Sequence, residues 1–148
     1  VCDNNVYSLI AYPKSIPAQI IKLTKGQQDK IKKNISLFSS FPFEKKVVTI
    51  IKYILTDTMP DSFSIQNINQ QLNIFNEIDL NIKNIITIDG EGLKAKEIIA
   101  TAKQDIYLTE KQFLRNNITQ KPLAVAIENM NLKKGQNTKI IIIESTVN

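Results

Sequence analysis

Few residues in this sequence could do chemistry, and they stand far apart. The chain has no histidine and a single cysteine, Cys2. Without histidine, the commonest general base, the commonest metal ligand and any Cys–His nucleophile pair are missing. One cysteine makes neither an intrachain disulfide nor a CxxC metal pair. Asp89 and Glu91 flank Gly90 and could open a metal loop. The remaining calcium-loop ligands are absent, so a hairpin turn is the simpler reading. No GxSxG, phosphate-binding glycine loop or HExxH occurs. We expect no enzyme, no cofactor and no metal.

Two groups could do other work. Cys2, close to the start, suggests the acylated cysteine of a bacterial lipoprotein, although Val1 is an unusual residue before such a cysteine. The alternative is an ordinary near-terminal cysteine. The stretch "SFPFEKK" (40–46) places Phe41 and Phe43 around Pro42, followed by Glu44, Lys45 and Lys46. Aromatic residues at a loop tip mark a contact site when exposed, with lysines to steer a partner. In the competing reading both rings fold back and plug one end of the core.

The chain of 148 residues is the size of one domain, with 43% apolar and 22% charged residues. It contains 26 Ile, 18 Lys and 15 Asn but one Arg, a bias that AT-rich codons explain. Scarce arginine and no Trp argue against nucleic-acid binding. The net charge of +5 is uneven: residues 1–55 hold nine Lys against three acids. Such a half could meet an anionic membrane or an acidic partner, or be a solvated face. No run is long enough to be a membrane helix.

Residues 1–30, interrupted by Pro13, Pro17 and Gly26, read as a lead-in with an apolar patch at Ile20, Ile21 and Leu23. Residues 31–148 read as one domain. "KNISLFSS" (33–40) alternates and predicts a strand; "VVTIIKYIL" (47–55) is β-branched and predicts a central strand. Phe63, Ile65, Ile68, Leu72 and Phe75 predict one amphipathic helix within 57–75. Apolar residues at even positions from Ile74 to Ile88 predict a strand, with a tight turn at "DGEG" (89–92). "LKAKEIIATAK" (93–103) returns as strand or helix. "DIYL" (105–108) reads as strand, and "TEKQ" (109–112) as a capping box. "PLAVAIE" (122–128) and "TKIIIIES" (138–145) are the last strands. The run Ile140–Ile143 is apolar on both faces and must be covered on both. The sum is a mainly β protein, a two-sheet antiparallel β-sandwich with one short amphipathic helix.

The order "KNISLFSS", "VVTIIKYIL", "SFSIQNINQQL", "PLAVAIENMN", "GQNTKIIII" resembles the TssJ family, outer-membrane lipoproteins of type VI secretion systems. Lys52 stands where that family has Arg, and "IEN" (127–129) where it has "YRD". The resemblance covers about residues 33–145 and implies a transthyretin-like sandwich. It further implies an adaptor lipoprotein on the periplasmic side of the outer membrane, anchored through Cys2, with the inner membrane as the other possible site. The implied partner is the periplasmic part of a TssM-like inner-membrane protein, held through Phe41, Pro42, Phe43, Lys45 and Lys46. The alternative is a periplasmic or secreted β-sandwich that binds a small ligand or surface glycan.

Overall fold

The computed structural model describes residues 25–147. Among these residues two helices come first: α1, Lys25–Phe38, and α2, Phe43–Leu55. Seven strands follow: β1 Ser64–Leu72, β2 Ile78–Ile88, β3 Leu93–Ala102, β4 Ile106–Tyr107, β5 Pro122–Ile127, β6 Asn131–Leu132 and β7 Asn137–Ser145. A short 3-10 helix, Glu110–Phe113, lies between β4 and β5. The large sheet has five antiparallel strands in the order β1-β2-β3-β7-β5, and β4 and β6 form a small second sheet. The molecule is mainly β, as its alternation patterns predict, with the two sheets packed as in a sandwich.

The isoleucine run lies in β7, between β3 and β5. Ile141 and Ile143 join Phe38 of α1 and Val47, Ile50 and Ile54 of α2 in one core. Ile140 and Ile142 join Leu108, Phe113, Ile118 and Leu132 in a second core on the opposite face. The four isoleucines are fully buried, two under each layer. A strand apolar on both faces is therefore covered on both, as expected.

The two covers are offset along the sheet. A bulge in β2 between Ile82 and Asn84 swaps its faces. Ile78, Leu80 and Ile82 point to the far face, and Ile86 and Ile88 to the helix side. The helices thus cover the β2–β3 hairpin end of one face. The small sheet and the 3-10 helix cover the other end of the opposite face.

Three element expectations are corrected. Residues 33–38 and 47–55 are helical, and 57–75 holds no helix; β1 runs through it as an edge strand. In α2 the buried Val47, Ile50 and Ile54 have helical spacing, with Glu44 in the first turn and Lys52 in the last. An apolar run of that length fits a buried helix as well as a central strand. In β1 a register shift between Asn67 and Gln70, with Asn69 at φ 51°, breaks the two-residue alternation. The resulting spacing of Ile65, Ile68 and Leu72 imitates a helix. The cover expected from a 57–75 helix comes instead from α1 and α2.

Side-chain contacts hold the helices down. Phe38 stacks on Phe63 at 6.2 Å, and Tyr53 meets Phe63 edge-on at 5.8 Å. Asn34, fully buried in α1, donates from Nδ2 to the Ser62 carbonyl (3.1 Å) and the Asp89 carbonyl (3.0 Å). Gly90, at φ 91° in the β2–β3 turn, lies under α1; a Cβ there would come within 2.9 Å of Ile31 Cγ2. Glycine supplies both the left-handed backbone and the room. The capping box is present as read, with Thr109 N–H donating to Gln112 Oε1 at 2.7 Å.

Candidate partner interface

Within the stretch 40–46, residues 40–42 join two helices rather than two strands, and residues 43–46 are the first turn of α2. Its residues divide between the two readings of the sequence. Phe41 is half-buried against Phe38, edge-on at 5.7 Å, and the Lys45 ammonium sits 4.4 Å above its ring centre. Lys46 pairs with Glu91 of the β2–β3 turn. Pro42 precedes the first turn of α2 and faces solvent. Phe43 is 52% exposed, and Val48, further along α2, is 50% exposed. Cys2 lies outside the described residues.

A longer surface is offered by β1. Its nine residues, "SIQNINQQL", carry no charge and no proline. It pairs with β2 alone, so its outer edge faces no strand among the described residues. Ile65 is exposed, as are Gln66, Asn67, Asn69, Gln70 and Gln71. Edge strands are normally blunted by lysine, proline or a bulge, because free N–H and C=O groups template pairing with another chain. Here a bulge is present, but no charge or proline. The opposite edge, β5, has six residues and begins at Pro122. Next to β1 lies the half of the helix-side face that α1 and α2 leave open. Asn69, Gln71, Asn81, Lys83, Ile99 and Thr101 line a shallow hollow of about 490 Å³ there. Backbone donors and acceptors on the edge, amide side chains beside it and a half-buried Ile99 suit an extended peptide laid along β1.

Buried charge stiffens the sheet beside this surface. Glu97 of β3 is buried, accepts from Asn84 Nδ2 at 2.9 Å and pairs with Lys139 at 3.2 Å. Lys139 also donates to the Ile54 carbonyl at 3.4 Å, at the C-terminal end of α2, where the helix dipole favours a cation. On the far face Glu144 is buried against Lys96 at 3.1 Å. Among the described residues no group of three or more His, Cys, Asp or Glu side chains could hold a metal, and no helix is long and apolar enough to cross a membrane.

Sequence reading did not find the β1 surface, because helical spacing concealed the strand. The one available signal was nine uncharged residues, seven of them Ile, Asn or Gln, beside a strongly alternating strand. The Glu97–Lys139 and Glu144–Lys96 pairs were out of its reach, since each joins strands about 40 residues apart or more.

A family model, the TraK C-terminal domain, matches residues 32–144. The match begins inside α1 and ends one residue before the end of β7, so it takes in the second half of α1, all of α2 and nearly all of the large sheet. The chain belongs to the TraK C-terminal domain family. That family is related to type IV conjugation and secretion, so the chain is a secretion-system-associated protein, and the periplasm is the compartment this association fits. No curated protein matches it.

Proposed function

We propose that this chain is a non-enzymatic periplasmic adaptor of a conjugation or type IV secretion apparatus, and that it holds another component by adding a strand to β1. One observation carries the reading: β1 is a nine-residue edge strand without charge or proline, in a chain whose net charge is +5. An uncharged edge of this length, blunted only by a bulge, is a liability unless another chain covers it. The helix-hairpin corner around Phe43 is a second contact. Attachment to a membrane by lipid on Cys2, and an inner-membrane component as the partner of Phe41–Lys46, extend the same reading.

A photo-reactive amino acid at Gln66 or Gln70, introduced into cells carrying the complete apparatus, tests it. Adducts to one component of the apparatus are expected from both positions. None is expected from a probe at Lys32, on the exposed side of α1. Equal, diffuse adducts from all three positions would contradict a specific strand contact.

A further inference from the structure

The two helices carry the charge of the chain. Residues 25–55 hold seven lysines and two acids, while residues 56–147 hold ten basic residues and eleven acids. AT-rich codons raise lysine along the whole sequence; the helix layer differs in its lack of acids. Two of its lysines turn toward the sheet: Lys30 donates to the Ser64 hydroxyl at 3.2 Å, and Lys46 pairs with Glu91. The other five, Lys25, Lys32, Lys33, Lys45 and Lys52, are exposed. None of these five pairs with a carboxylate among the described residues.

Their spacing gathers them on one side of the molecule. Lys25 and Lys32 are seven residues apart on α1, and Lys45 and Lys52 seven apart on α2, so each pair shares one helix face. The buried residues lie opposite: Asn34 and Phe38 on α1, and Val47, Ile50 and Ile54 on α2. Both helices cover the same face of the large sheet, so their lysine faces look outward together. Asp29 and Glu44 leave this side a surplus of three positive charges. Lys45 stands over the Phe41 ring, which steadies the ammonium without neutralising it.

We propose that the helix layer rests on an anionic membrane surface, with the lysine tips reaching the phosphates of lipid headgroups. A single-sign field spread over two helices matches a flat surface of the opposite sign. Lysine serves here as a flexible point charge. A folded acidic protein is better held by the planar fork of arginine, and residues 25–55 contain none. Each lysine near an anionic surface strengthens binding about fivefold, so three surplus charges contribute on the order of 100-fold. A single acyl chain binds a membrane only marginally, and a basic patch is the second signal that makes attachment stable. Contact through lysine tips leaves the α1 backbone in water, so its amide exchange is unaffected. The proposal does not depend on strand addition at β1, and either stands if the other fails.

Flotation of the full, unacylated chain with lipid vesicles tests it. Phosphatidylcholine vesicles carrying about 30% phosphatidylglycerol should bind the chain at least about tenfold more tightly than pure phosphatidylcholine. Raising the salt from about 0.1 M to 1 M should remove most of that difference, because the Debye length falls to about 3 Å. Lys32→Gln with Lys52→Gln should weaken binding about tenfold or more, while Lys32→Arg with Lys52→Arg keeps it within about twofold. Lys133→Gln with Lys134→Gln removes the same charge from exposed positions before β7 and should change binding by less than about twofold. Equal losses from the two glutamine pairs would assign binding to overall charge and overturn the proposal. Equal binding to neutral vesicles would overturn it too. So would failure to bind either vesicle, and retention on poly-glutamate in that case would assign the face to an acidic protein.

Discussion

Glu97 and Lys139 meet 3.2 Å apart on the helix side of the sheet, at the point where α2 ends. Glu97 brings Asn84 of β2 into the contact, and Lys139 brings the Ile54 carbonyl of α2. One buried pair thus ties three neighbouring strands to a helix terminus. It also marks the border between the covered and the open half of that face.

Removing one member of this pair leaves a buried charge alone. Lys139→Met should cost about 3 kcal/mol in urea unfolding, in line with broken buried pairs elsewhere. Adding Glu97→Gln to it should restore at least about half of that loss, because no buried charge is then left unpaired; Asp57, which also meets Lys139 at 3.7 Å, is exposed. Strictly additive losses in the double mutant would show that the two side chains act separately.

The two-sided burial of β7 predicts two similar penalties. Ile141→Ala opens the helix-side core and Ile142→Ala the opposite one, and each should cost about 2–5 kcal/mol. Ile65→Ala, at an exposed position of β1, should stay within about 0.5 kcal/mol. A negligible loss at either core position would mean that its layer does not close over the sheet.

Asn34 is the polar tether of α1. Asn34→Ala removes two donated hydrogen bonds to the Ser62 and Asp89 carbonyls and should cost about 1–3 kcal/mol. Hydrogen exchange should rise first in α1 and in the β2–β3 turn. Faster exchange confined to the rest of the sheet would contradict this role.

Phe41 and Phe43 should separate cleanly. Phe41→Ala removes an edge-on contact to Phe38 and the face that Lys45 covers, so it should lower the melting temperature by several degrees. Phe43→Ala should leave melting nearly unchanged and act on partner capture alone. Equal thermal losses from the two would return Phe43 to the core.

The sheet was legible wherever burial followed one rule along a whole strand. Ile78 to Ile88 is a strand as its alternation predicts, although the bulge at Ile82–Asn84 divides its buried residues between the two faces; the turn at Gly90 and the run Ile140–Ile143 are placed as their patterns require. The capping box at Thr109 was legible because its contacts are local. The first half of the chain misled for two physical reasons. In α2 the β-branched residues favour a strand by propensity, and tertiary packing of Val47, Ile50 and Ile54 overrides that preference. In β1 a bulge converts a two-residue period into spacings of three and four. The candidate surface was hidden by the same bulge, while Phe43 was legible as an aromatic beside a proline.

The central claim, that β1 receives a strand from another component, is tested most directly by amide hydrogen exchange of β1 in the isolated chain and in the assembled apparatus. Half of its amides should exchange quickly in isolation, since one side of the strand has no partner strand. Assembly should slow those amides by about 100-fold or more while exchange on the exposed side of α1 stays the same. Unchanged exchange in β1, with new protection elsewhere on the chain, would contradict the account.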